Sequence, residues 1–183
     1  MKLTLLLVVL LLNGCVINLA GIPKKAPSTL GKVSKEIMVE YDRFKDITWI
    51  KTPLYLSRHD SIGTFSIEVM FRALYKPSDT RQYLQLYVFS QSADWSFYDS
   101  AYGEDGYEFE FIRIGNDVGE NIGRVSTNEQ FTLMVPIEKL EKIAQKDYEI
   151  KVYGSRNEII IKVPKQLTKA FLDNVNCYES KDC

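Results

Sequence analysis

From about residue 36 onward, apolar and polar positions alternate with a period of two over most of the chain. In FSIEVMFRALY (65–75), Phe65, Ile67, Val69, Phe71, Ala73 and Tyr75 fall on one side and Ser66, Glu68, Met70, Arg72 and Leu74 on the other. That pattern predicts a strand with one face toward a core. YLQLYVFS (83–90) predicts a second, with Leu84, Leu86 and Val88 on one face and Tyr83, Tyr87 and Phe89 on the other. YEFEFIRI (107–114) predicts a third, setting Tyr107, Phe109 and Phe111 opposite Glu108 and Glu110. Asp105-Gly106 immediately before it is a hairpin signal, so residues 95–102 are expected to pair back onto it. Further strands are expected near 120–126, 129–135, 148–153 and 157–163, the last two joined by the compact turn Gly154-Ser155-Arg156-Asn157.

Two segments switch to a helical period. PIEKLEKIAQ (136–145) aligns Ile137, Leu140, Ile143 and Ala144 on one stripe, with Pro136 at a tolerated first position. PKQLTKAFLDNV (164–175) aligns Leu167, Phe171, Leu172 and Val175. Strands in succession followed by segregated helices imply a mainly β (α+β) fold. The expectation is an antiparallel two-sheet sandwich with two short helices late in the chain, closing an end or an edge.

The N-terminus follows neither period. Lys2 precedes an apolar run, Leu3–Leu12, broken only by Thr4. A membrane-spanning helix needs about 20 apolar residues, so this run is too short to be one and fits a secretory signal peptide. Leu12-Asn13-Gly14-Cys15 resembles the lipobox of bacterial lipoproteins, with an aliphatic residue three before the cysteine and a small residue directly before it. That resemblance implies cleavage before Cys15 and diacylglycerol on its sulfur. Anchoring to the bilayer then takes more than one acyl chain. Val16, where some lipoproteins carry an aspartate, implies the periplasmic face of the outer membrane. Residues 15–35, rich in Pro, Gly, Lys and Ser, read as a lipidated flexible tether. Residues 36–175 read as one β-rich domain and 176–183 as a C-terminal tail.

Charge narrows the partners. The chain has 23 basic and 24 acidic residues, and removing residues 1–14 takes away one lysine and no acid. The mature chain is then slightly acidic, at about −2, and nothing in that balance suggests nucleic-acid binding. Cys177 and Cys183 are expected to form a disulfide, since exported compartments are commonly oxidising. With His59 the only histidine, a zinc site finds too few nitrogen and sulfur ligands, and no metal or cofactor is expected.

Candidate chemistry is sparse. Ser57-Arg58-His59-Asp60 juxtaposes triad residue types, yet a triad is a matter of spatial geometry that neighbours on one loop rarely achieve. The run reads as an exposed polar turn. An envelope hydrolase using His59 with Ser57 or Asp60, or the acidic hairpin at 104–110, is the alternative function. Asp99, Glu104, Asp105, Glu108 and Glu110 cluster around one turn, without calcium-loop order or two carboxyls facing across a cleft. Walker, Rossmann, CxxC and HExxH motifs are absent. The aromatic strip Tyr83, Tyr87 and Phe89 suggests a binding surface if it lies exposed. A central strand buried on both faces, or a covering helix, is the other reading. The favoured function is a non-catalytic binding module of the cell envelope, serving an envelope protein or a small ligand.

A second, diffuse resemblance covers most of residues 36–175. Asp42 and Phe44, then Trp95, Asp105-Gly106, Glu129, Leu140, Ile143, Ala144 and Gly154 are similar to positions in a family of small exported bacterial proteins of unknown function. It implies a shared β-rich domain and no activity.

Overall fold

The computed structural model describes residues 24–59, 65–76, 80–121 and 124–181. In chain order the elements are α1 (Leu30–Ser34), β1 (Met38–Asp42), β2 (Ile47–Lys51), β3 (Tyr55–His59), β4 (Ser66–Lys76), β5 (Thr80–Ser92) and β6 (Tyr98–Gly103). Then come β7 (Phe111–Asn121), β8 (Arg124–Met134), α2 (Ile137–Ile143), β9 (Tyr148–Gly154), β10 (Glu158–Val163) and α3 (Lys165–Ser180). The expected mainly β class holds, with two antiparallel sheets. One runs β1-β2-β4-β5-β8-β7 with β3 also on β4, and the other runs β10-β9-β6.

The period-two pattern sets the register. Val69, Val88 and Phe131 lie opposite one another across β4, β5 and β8, as do Phe71, Leu86 and Leu133. All six are buried. Against this face lies α3, whose Leu167, Ala170, Phe171 and Val175 recur at helical spacing and are buried, with Phe171 stacked on Phe71 at 5.2 Å between ring centres. The small sheet adds Ala101, Ile150, Val152, Ile159, Ile161 and Val163 to the same core. Burial of each large side chain contributes about 1.5–3 kcal/mol.

Two seams join the sheets. At one, the Ser57 hydroxyl donates to the Lys162 carbonyl at 3.0 Å and accepts from the Lys162 N–H at 2.8 Å, so a β3 side chain stands in for a rung of ladder with β10. At the other, Arg113 on β7 donates to the Tyr98 carbonyl on β6 at 2.8 Å.

Three expectations need correction. The segment 95–102 does not form a hairpin with 107–114. Gly106, at φ 78°, does make a turn, but the return stops at a bridge between Tyr102 and Glu108, with bonds from the Gly103 N–H to the Tyr107 carbonyl at 2.8 Å and from the Phe109 N–H to the Ala101 carbonyl at 3.0 Å. The chain then crosses to the large sheet, where Phe111 stacks on Phe131 at 4.7 Å, and β6 pairs with β9 instead. Secondly, the stretch read as tether is folded from Lys24 onward. The Lys24 carbonyl accepts the Leu56 N–H at 2.7 Å, and α1 packs on α3 with Val33 fully buried. Thirdly, the segment read as tail continues α3. Tyr178 packs on Tyr75 at 4.7 Å, and Glu179 accepts from the Tyr75 hydroxyl at 2.9 Å and from Arg81 at 2.8 Å.

Candidate functional site

Because α3 covers one face of the β4–β5 sheet, the opposite face holds the other parity of side chains. Trp49 of β2, Arg72 of β4 and Tyr83, Tyr87 and Phe89 of β5 share that face, all half-buried. Arg72 is the centre. Its guanidinium lies 5.5 Å from the Trp49 ring centre and 4.9 Å from that of Tyr87, and its Nε donates to Gln85 at 2.9 Å. Trp49 and Tyr83 are 5.9 Å apart, and the Tyr87 hydroxyl donates to Gln130 of β8 at 2.8 Å. Burial pushes the Glu68 carboxyl and the Tyr87 phenol above their usual values and lowers that of Arg72. The strip is therefore neither fully exposed nor sealed. Trp49 and Arg72 belong to it too, and the signal for Arg72 was a basic residue at a non-core position of a strongly alternating strand.

The triad residue types do not make a site. Ser57 Oγ is occupied on both sides by Lys162 backbone, which leaves no hydroxyl proton pointed at a base. His59 is exposed at the end of β3, and Asp60 lies outside the described residues. We expect Ser57→Ala to cost about 1–2 kcal/mol by removing this pair of hydrogen bonds, measurable as a lower urea midpoint with unchanged m-value.

The acidic turn is taken up in structural pairing. Glu104 is salt-bridged to Lys146 and accepts the Glu149 N–H at 3.3 Å, while Glu108 accepts from the Tyr102 hydroxyl at 3.0 Å. Asp105 binds the ammonium of Lys139 through both oxygens, at 2.9 and 2.6 Å, and accepts the Tyr148 hydroxyl. The lysine itself is buried, with the rings of Tyr107 and Tyr148 each 4.6 Å from its nitrogen. These contacts pull the Asp105 carboxyl well below the usual carboxylate range, with Lys139 the main cause and Tyr148 next. Burial and the Asp105 contact push the Tyr148 phenol well above its usual value. Lys139 and Tyr148 went unnoticed in the sequence because they stand 34 and 43 residues from Asp105.

No family model, curated protein or solved structure matches this chain. The positions that carry the diffuse family resemblance serve the architecture. Asp42 accepts the N–H groups of Phe44 and Lys45 at 2.9 and 3.3 Å and so shapes the β1–β2 turn, which presents Phe44 85% exposed. Leu140, Ile143 and Ala144 are buried. Glu129, Trp95 and Gly154 converge on one loop. Glu129 is buried and accepts the Ser96 N–H at 2.7 Å and the Tyr98 N–H at 3.2 Å, on either side of Phe97, which sits at φ 55°. Successive N–H groups around a left-handed residue form an anion-binding concavity, and here the anion is the protein's own carboxylate. Gly154 lets β9 press against the Ser96 and Phe97 backbone where a Cβ would collide.

Among the described residues, no group of three His, Cys, Asp or Glu side chains is placed to hold a metal ion, and no helix is long and apolar enough to cross a membrane. Cys15 and Cys183 lie outside the described residues. Cys177 lies half-buried on α3.

Proposed function

We propose that this chain is a lipid-anchored, non-catalytic binding module of the bacterial cell envelope, docking another envelope protein on the sheet face centred on Arg72. The observation that carries this reading is the Arg72 guanidinium held between the Trp49 and Tyr87 rings, with Tyr83 against Trp49 and Phe89 further along the same face of β5. Trp, Tyr and Arg are the residue types that dominate binding energy at protein interfaces, because they bring large contact area and directed polar groups at low entropic cost. Arg72 is preorganised by its bond to Gln85 and by the flanking rings, so little freedom remains to be lost on docking. The occupied hydroxyl of Ser57 and the internal pairing of the acidic turn favour binding over the hydrolase alternative. The anchor is supported by the Leu12–Cys15 motif.

The test is crosslinking in the native envelope, comparing the natural chain with Tyr87→Ala and Arg72→Ala. A defined partner should be captured by the natural chain and reduced at least about tenfold in either variant, the loss expected on removing one central interface residue. The thermal midpoints should shift little, since both side chains are half-exposed. Capture unchanged in both variants would place the partner elsewhere. Turnover of an envelope substrate by the natural chain and not by His59→Ala would replace binding by catalysis.

A further inference from the structure

The seam between β3 and β10 carries a groove of about 640 Å³ lined by Lys25, Leu56, Ser57, Arg58, His59, Glu149, Ile160 and Lys162. Its charge is one-sided. Lys25, Arg58 and Lys162 face a single carboxylate among the described lining residues, and that carboxylate, Glu149, lies 3.2 Å from the Lys162 ammonium. The cations come from three separate segments. Arg58 is on an edge strand of the large sheet, Lys162 is on an edge strand of the small sheet, and Lys25 follows the residue whose carbonyl is bonded to Leu56. Ser57 is what brings them together. Its hydroxyl pins β3 to β10, and a register shift between Leu56 and Arg58 re-aims β3 at that point. Leu56 and Ile160 add apolar surface between these cations.

We propose that this groove binds the phosphoryl group of an anionic lipid headgroup. The chemistry is that of a phosphate monoanion or diester. Arg58 supplies a planar donor fork and Lys25 and Lys162 supply point charges, the two ways in which proteins hold phosphate. The volume suits a headgroup and falls within the usual range of small-molecule sites. The lipid source rests on the anchor reading above. With folding established from Lys24, Lys25 is only ten residue steps from Cys15, a span of at most about 36 Å of extended chain. An acylated Cys15 therefore holds the groove's own rim within reach of the bilayer it is anchored in, where phosphate is the dominant anion.

The experiment uses residues 16–183 without lipid, which retain every described element. Sedimentation is measured with vesicles of mixed phosphatidylglycerol and phosphatidylcholine, and with phosphatidylcholine alone. Binding is expected only to the first, and it should fall steeply as salt is raised. Arg58→Gln with Lys162→Gln should weaken it roughly 25-fold, from about fivefold per basic residue at an anionic surface. Both side chains are exposed, so the circular dichroism spectrum and thermal midpoint should stay unchanged. The charge-matched control, Lys142→Gln with Lys169→Gln on α2 and α3, should lose much less. Equal loss in both pairs, or no preference for phosphatidylglycerol, would overturn the proposal. Full displacement by millimolar glycerol 3-phosphate would overturn the lipid source and make a soluble phosphate the ligand. Mass spectrometry of Cys15 in native membranes separates the two readings. Vesicle binding without an acyl chain removes the anchor and keeps the groove, whereas an acylated chain lacking vesicle binding removes the groove.

Discussion

Asp105→Ala is expected to lower the free energy of unfolding by about 2–3 kcal/mol. The Lys139 side chain is 5% exposed and its ammonium has Asp105 as its carboxylate partner, with the Tyr148 hydroxyl at 2.6 Å completing the shell. Removing one member of a fully buried ion pair costs about 3–5 kcal/mol, because the remaining charge is stranded away from water. Asp105 itself is 48% exposed, so water partly replaces it and the cost falls below that range. Lys139→Met keeps most of the volume and removes the stranded charge, and should cost clearly less than Asp105→Ala. Urea unfolding of the two variants checks the order, and the reverse order would show that packing rather than charge governs the contact. The pair also has a pH signature. The Asp105 carboxyl is held below its unfolded value of 3.8, so its contribution is complete above that pH and drains away as the pH falls through the lower folded value. Asp105→Asn should therefore flatten the acid limb of the stability curve.

Glu129→Ala should be comparably severe, at about 3 kcal/mol. Two buried amides, those of Ser96 and Tyr98, lose their acceptor, each at a cost of about 1–3 kcal/mol. Phe97 loses what holds its left-handed backbone, and the removed side chain leaves space at the start of β6. For a domain of this size the thermal midpoint should fall by roughly 2–4 °C per kcal/mol. Glu129→Gln keeps one oxygen as acceptor and should fall between the natural chain and the alanine variant. Differential scanning calorimetry of the three proteins tests this, and equal midpoints for Gln and Ala would refute the role given to the retained oxygen.

The parts of the fold legible in the sequence are those where one residue decides one position. The alternation over 65–75 and 83–90 places β4 and β5 because each apolar side chain has the same neighbour, the core under α3. What escaped depends on distant partners. Asp105-Gly106 signals a turn, and it makes one, but whether the returning strand pairs with β6 or crosses to β8 is decided by Phe111 meeting Phe131, 20 residues on. The helix α1 is five residues long with one buried side chain, too short to show a period. The chain is rich in tyrosine, with 11 in all, and much of that richness is not a surface. In fact Tyr41, Tyr55, Tyr75, Tyr102 and Tyr148 each donate to a carboxylate, those of Asp46, Glu36, Glu179, Glu108 and Asp105. Five of the 11 tyrosines thus serve as internal ties, a use invisible to any count of aromatic residues. The Tyr83, Tyr87 and Phe89 strip was legible as a face, whereas its centre at Arg72 emerges only once β2 and β4 are paired.

The packing of α1 on α3 orders events in time. The first helix of the domain rests on the last, with some 130 residues of sheet between them. Loop closure over that length comes late, since the intervening chain must be placed before its ends can meet. A chain made from its N-terminus cannot seat Val33 until α3 has followed. Of the described elements, the first to be made is thus among the last to be fixed, and α1 waits for the C-terminal helix to close the structure.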